Sequence, residues 1–178
     1  TLSSTLSQAP NHFVALGSNC IFSMGDADGR ELWKSDGTAA GTVQVTNIAP
    51  GGTGGVVDAE MVVYNNKVYF AGSTTLGNYE LFSSDGTAGG TGLVKEVNPS
   101  TFASGSSDPG GWLVYNSELY FGADNGSDGG LWKSDGTAAG TVQVYAPVAF
   151  SNAVEFHGEM YFMGWNISGG FTNPLWKS

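Results

Sequence analysis

The sequence predicts an all-β protein built from four short repeated units, and three observations in its 178 residues point there. The first is an internal repeat. Copies read ELWKSDGTAAGTVQV from Glu31, ELFSSDGTAGGTGLV from Glu80 and GLWKSDGTAAGTVQV from Gly130, and a short last one, PLWKS, ends at Ser178. Their aromatic anchors Trp33, Phe82, Trp132 and Trp176 lie 49, 50 and 44 residues apart, a period that suits solenoids or propeller blades better than one continuous core. The second is composition: 28 glycines and few charge-rich, helix-periodic stretches imply many turns and short strands. The third is a hairpin pattern ahead of every copy.

Those hairpins read VALGSNCIFSMG, VVYNNKVYFAG, LVYNSELYFGA and VEFHGEMYFMG. Their two-residue centres, Gly17-Ser18, Asn65-Asn66, Asn116-Ser117 and His157-Gly158, suit tight turns that need positive φ and match strand twist. Val68-Tyr69-Phe70 and Leu119-Tyr120-Phe121 supply β-branched and aromatic residues to a largely buried second strand. A third strand follows, such as Glu80-Leu81-Phe82-Ser83, then a Ser-Asp-Gly-Thr turn and a fourth strand such as Gly92-Leu93-Val94-Lys95. Asp carboxylates accept hydrogen bonds from backbone N–H groups two residues on, so Asp36, Asp85 and Asp135 are read as structural turn residues rather than catalytic acids. Four antiparallel strands per roughly fifty residues make a propeller blade. The expected division is residues 1–10 as a complementing strand and linker, then repeats over 11–50, 51–100, 101–147 and an incomplete 148–178, with IAPGGTGG and NPSTFASGSSDPGG as loops between blades.

The ELWxSDGTxxGT pattern, with its downstream Gly-Thr, resembles the repeats of bacterial secreted and surface proteins sometimes described as hyalin-like, over nearly the whole chain. The resemblance implies a propeller-like extracellular or cell-surface protein and no agreed activity. The turn is also similar to the Asp-box of sialidases. Gly130 and Pro174 depart from the pattern by replacing the Glu before Leu, and the last copy lacks Asp-Gly-Thr.

A formal charge of −10, with Arg30 the only arginine, leaves no basic stripe for phosphates, so nucleic acid and anionic membrane surfaces are poor partners. No apolar run approaches the roughly eighteen residues of a membrane span. The chain starts at Thr1, which fits a processed form or an excerpt of a longer array. Cys20, the single cysteine, aligns with Val68, Leu119 and Met160 and is read as a small buried apolar residue.

Copy four stops where its third strand should turn into a fourth. At the other end, Thr1 to Leu6 followed by Ala9-Pro10 resembles the fourth-strand segment Thr42-Val43-Gln44-Val45 followed by Ala49-Pro50, in an imperfect register because Ser4 stands where Val45 does. The edge at Leu175, Trp176 and Lys177 is thus an acceptor for an added strand carrying Leu2, Ser4 and Leu6. That strand comes from the same chain, closing a four-bladed ring, or from a neighbour, head to tail, giving a filament.

Enzymatic chemistry finds little footing. One arginine cannot form a sialidase clamp, and no pair among Glu31, Glu80, Glu118, Glu155 and Glu159 stands out as converging glycosidase carboxylates. No cofactor is expected. Calcium is the one alternative, at Asp26, Asp28, Asp124 and Asp128, but these loops miss the full twelve-residue pattern and read better as solvated hairpin tips. Trp112 and Trp165 are candidate sugar-binding aromatics, while Trp33, Trp132 and Trp176 read as packing between blades. Asn125-Gly126-Ser127 and Asn166-Ile167-Ser168 are glycan acceptor sequons at Asn125 and Asn166. The expected function is therefore a non-catalytic, extracellular structural subunit that joins copies of itself by strand complementation. The alternative is a lectin-like carbohydrate-binding module for adhesion.

Overall fold

A computed structural model describes residues 8–26, 28–52, 54–57, 59–100, 105–146, 148–166 and 175–177. All its regular elements are strands, in four successive antiparallel meanders. Unit 1 is β1 (Gln8–Leu16), β2 (Asn19–Asp26), β3 (Gly29–Ser35) and β4 (Val43–Thr46). A short β5 (Gly54–Val56) leads into unit 2, which is β6 (Val62–Tyr64), β7 (Lys67–Ser73), β8 (Glu80–Ser84) and β9 (Gly92–Lys95). Unit 3 is β10 (Gly110–Tyr115), β11 (Glu118–Asp124), β12 (Gly129–Ser134) and β13 (Val142–Tyr145). Unit 4 has β14 (Val148–Phe156), β15 (Glu159–Asn166) and β16 (Leu175–Lys177).

The hairpin centres adopt the backbone that their residues favour. Both central residues have positive φ at Asn65-Asn66, Asn116-Ser117 and His157-Gly158, the geometry that suits the right-handed twist of the flanking strands. In unit 1 only Gly17 is positive. Five residues before the turn, the first strand kinks: φ is positive at His12, Gly111 and Asn152, and pairing shifts register there in β1, β10 and β14. In unit 2 the kink becomes a break that separates β5 from β6.

β5 corrects the expectation that IAPGGTGG is only a loop. Gly54 and Gly55 pair in parallel with Gly29 and Arg30 of β3, while Gly55 and Val56 pair antiparallel with Ser73 and Gly72 of β7. Units 1 and 2 therefore share one nine-stranded sheet, whereas units 3 and 4 form separate sheets. Residues 8–10, grouped by sequence with the complementing segment, run as the start of β1. Among the described residues, strand pairing does not close the units into a ring.

The core lies in the seams between units. Ile21, Leu32 and Val45 of unit 1 pack with Val68, Phe70 and Phe82 of unit 2. Tyr64, Tyr69 and Leu81 of unit 2 pack with Leu119, Phe121 and Trp132 of unit 3. Leu131 of unit 3 packs with Phe150, Met160 and Phe162 of unit 4, with Leu113, Tyr115, Tyr120 and Trp176 at the margin. Units 2, 3 and 4 thus each present a cross-strand aromatic pair to the preceding unit: Phe70 opposite Phe82, Phe121 opposite Trp132, and Phe162 opposite Trp176. Burying such a pair removes two large apolar groups from water at roughly 1.5–3 kcal/mol each. Polar ties fix the register of each seam. Tyr64 donates to the Ser117 carbonyl at 2.6 Å and Tyr115 to the Gly158 carbonyl at 2.8 Å, each reaching the hairpin turn of the next unit. Lys34 Nζ likewise donates to the Gly86 carbonyl at 2.9 Å and Lys95 Nζ to the Ala138 carbonyl at 3.1 Å.

Candidate functional site

The Ser-Asp-Gly-Thr turn is built identically three times. Asp36 Oδ1 accepts from the Thr38 N–H at 2.9 Å and from its hydroxyl at 2.7 Å, and Thr38 Oγ1 in turn accepts from the Gly41 N–H at 2.9 Å. Asp85 with Thr87 and Asp135 with Thr137 repeat this. A hydroxyl pair locks the base of the loop: Ser35 with Thr42 at 2.7 Å, Ser84 with Thr91 at 2.6 Å, and Ser134 with Thr141 at 2.7 Å. The second glycine of the motif is a close-approach position, because a Cβ at Gly41, Gly90 or Gly140 would lie 2.0–2.1 Å from an atom of the Asp carboxylate. These carboxylates are spent inside their own turns. The Thr hydroxyl and then the Thr N–H hold each of them below the ordinary value of 3.8.

The sequence marks the Glu that precedes Leu-aromatic in copies one and two as a repeated acid without a converging partner, and the structure gives it a role. Glu31 and Glu80 are fully buried. Glu31 accepts from the Ile48 N–H at 2.8 Å and the Ala49 N–H at 3.4 Å. Glu80 Oε2 accepts from the N–H groups of Val97 at 2.6 Å and Asn98 at 3.2 Å and from the Ser107 hydroxyl at 2.7 Å. Each therefore anchors the chain as it leaves the fourth strand for the next unit. Unit 3 needs no such anchor: β13 ends at Tyr145 and β14 begins at Val148. Gly130 fits there because a Cβ would meet Gln143 Nε2 at 2.4 Å and the Tyr145 carbonyl at 2.6 Å. The recurrence of Glu directly before an apolar strand was the available signal.

Burial pushes the Glu80 carboxyl above its ordinary value of 4.5, against the three hydrogen bonds that lower it. A raised folded-state value contributes stability that is fully present below the unfolded value and is lost as pH rises through the folded one. The depressed Asp36, Asp85 and Asp135 act in the opposite sense, giving stability above 3.8 that is lost as pH falls through their folded values. Urea midpoints measured from about pH 3 to 8 should decline at both ends. Glu80→Gln, neutral throughout, should flatten the decline above pH 4.5 and keep the acid limb. An unchanged profile in that variant would rule out Glu80 as its source.

Asp124 Oδ1 accepts from the Gly126 N–H at 2.6 Å, and Asn125 Oδ1 from the N–H groups of Ser127 and Asp128 at 2.9 and 2.8 Å. Asp28 accepts from Asn47 Nδ2 at 2.8 Å, and the Asp26 side chain lies outside the described residues. Among the described residues, no three His, Cys, Asp or Glu side chains gather around a metal-sized point. Asn125 Nδ2 donates to Gln143 Oε1 at 3.1 Å, so a glycan there would disturb a formed contact. The side chains of Trp165 and Asn166, and the segment carrying Leu2, Ser4 and Leu6, also lie outside the described residues. Trp112 is half-buried, its ring 5.4 Å from that of Phe121 and its Nε1–H donating to the Glu60 carbonyl at 2.9 Å.

The two outermost faces of the stack differ from the inner ones. Unit 4 turns Val154, Phe156 and Leu175 outward at 55%, 60% and 71% exposure. This face repeats most of the unit 3 face that unit 4 covers, with Met163 standing where Gly122 gives the Phe150 carbonyl room. Val154 matches Leu113, Phe156 matches Tyr115, and Leu175 matches Leu131. Even the polar cluster recurs: Lys133 pairs with Glu118 at 2.9 Å beside Tyr120, and Lys177 with Glu159 at 2.7 Å beside Tyr161. At the opposite end, Phe22 pairs across strands with Trp33, the arrangement with which units 2 to 4 meet their predecessors. Cys20 belongs to this leading face. It is partly exposed, contrary to the buried position expected from Val68, Leu119 and Met160, because among the described residues no preceding unit covers it.

No family model matches the chain, and no curated protein matches it in sequence. Solved structures do resemble it. A puromycin-hydrolyzing peptidase of Mycobacterium tuberculosis is similar over 90% of this chain and 27% of its own, at 11% identity and a TM-score of 0.60. A mutant puromycin hydrolase complexed with PGG is similar over 89% of this chain and 25% of its own, at 13% identity and a TM-score of 0.58. The chain thus spans about a quarter of the length of these enzymes, and at such identities the likeness is one of fold alone.

Proposed function

We propose that the chain is a non-catalytic, propeller-like repeat scaffold acting outside the cell. In this reading its blades stack face to face, and unit 4 receives the leading face of unit 1 from a second copy, head to tail. The supporting observation is the duplication of the covered unit 3 face on the exposed side of unit 4. A second copy offers Trp33, partly exposed where Trp176 stands in the seam between units 3 and 4; Phe22, the counterpart of Phe162, already lies under Phe13, so docking requires that ring to swing aside. The extracellular setting rests on the resemblance of the repeat motif to secreted and surface proteins.

Energetics set what this contact requires. Covering Val154, Phe156 and Leu175 is worth roughly 1.5–3 kcal/mol each, against an association cost of about 4–15 kcal/mol. The face alone only balances that cost. Addition of a strand from residues 1–6 to the β16 edge supplies ladder hydrogen bonds of roughly 0.5–1.5 kcal/mol each, and this carries assembly forward.

Light scattering on the full chain tests the proposal. Concentration-dependent oligomers are expected for the parent. Phe156→Asp, at a position exposed enough to leave the fold intact, and removal of residues 1–6 should each give monomers. A parent that stays monomeric, as a self-closed ring would, or variants that assemble as it does, would refute head-to-tail stacking.

A further inference from the structure

A second feature lies away from the unit 4 face, where the first strands of units 1, 2 and 3 come together. Here β1, β6 and β10 enclose a groove of about 290 Å³ lined by His12, Phe13, Glu60, Met61 and Trp112, among others. Its position coincides with the irregularities of these strands: the kinks at His12 and Gly111 and the break that ends just before Val62. Such departures from regular pairing re-aim side chains. Phe13, 59% exposed, is braced by stacking on Phe22 at 5.3 Å, and Trp112 is braced by Phe121 and by its bond to the Glu60 carbonyl. That bond uses the main chain of Glu60, an exposed residue of the groove lining, and does not engage its carboxylate. Two braced aromatic residues, a methionine and an acidic residue thus share one groove.

We propose that this groove binds one ring of a pyranose sugar that carries no acid group. The apolar faces of a pyranose pack on aromatic rings, and its adjacent hydroxyls donate to a carboxylate. The volume lies at the lower end for small-molecule sites, which suits a single ring. Glu60 and a net charge of −10 repel uronic and sialic acids. The site lies between units 1, 2 and 3 and shares Phe13 with the leading face, where that ring stacks on Phe22.

The test is a titration of the full chain, followed by NMR at the Trp112 indole N–H. The probes are methyl β-D-glucopyranoside, methyl β-D-galactopyranoside and methyl α-D-mannopyranoside, with galacturonic acid as the charged comparison. At least one neutral glycoside should shift that signal, and galacturonic acid should not. Glu60→Ala keeps the carbonyl that holds Trp112 and removes the acceptor, so it should weaken binding at least about tenfold while the rest of the spectrum stays in place. Phe13→Ala, at an exposed position, should weaken it as well. No shift with any neutral glycoside at about 50 mM, where even a millimolar Kd saturates, would overturn the proposal. So would equal binding of galacturonic acid, or affinity in Glu60→Ala within about twofold of the parent.

Discussion

Phe121→Ala is expected to destabilise the protein by about 3–5 kcal/mol, the cost of emptying a fully buried aromatic site. Phe121 is 0% exposed and sits where Tyr64, Tyr69 and Leu81 of unit 2 meet Trp132 and Leu119 of unit 3. Backbone hydrogen bonds on both sides fix the two sheets, so neither can collapse into the space left behind. The loss also reaches Trp112, whose ring rests on Phe121. Urea denaturation of the parent and variant gives the number directly. Phe156→Ala provides the contrast, because its ring is 60% exposed and its loss should stay within about 0.5 kcal/mol. A shift below about 1 kcal/mol for Phe121→Ala would mean that the seam between units 2 and 3 is not packed as described.

Gly55→Val should cost about 2–6 kcal/mol through strain and overpacking together. Gly55 has φ near +105°, where a β-branched residue is strained, and a Cβ there would lie 2.2 Å from the Arg30 carbonyl. Backbone cannot yield as a flexible side chain would, so the parallel pairing of β5 with β3 must open. Hydrogen exchange at the amides of residues 54–56 and 29–30 should accelerate with the loss of stability. Gly89→Ala is the matched control: nothing lies within 4 Å of its Cβ position, and its effect should be near zero. Equal stability of Gly55→Val and the parent would exclude the bridge.

Much of the strand pattern could be read from side-chain chemistry. Asn-Asn, Asn-Ser and His-Gly centres announce turns with positive φ, and alternation around Phe70 and Phe121 announces buried strands. β5 escaped notice because Gly54-Gly55-Val56 has almost no side-chain pattern; it exists through backbone bonds to residues far along the chain. Glu31 and Glu80 escaped for another reason. In sequence they are repeated acids with no converging partner, and only the returning chain at Ile48 and Val97 shows what they hold. Cys20 was misplaced because its burial depends on a neighbouring unit rather than on its own strand. The groove at Trp112 draws on three units at once, so no local window contains it.

The continuous sheet through β5 gives the stack an uneven mechanical character. When the units are pulled apart, the joint between units 1 and 2 must break the backbone pairing of β5 with β3 as well as its packed side chains. The joint between units 2 and 3 also holds main-chain bonds, from the Ser107 and Asp108 N–H groups to the Tyr79 carbonyl, whereas among the described residues the joint between units 3 and 4 rests on packed side chains and the Tyr115 hydroxyl. Tension would therefore part unit 4 from unit 3 before it separates the earlier units, so the protein has a built-in order in which it gives way.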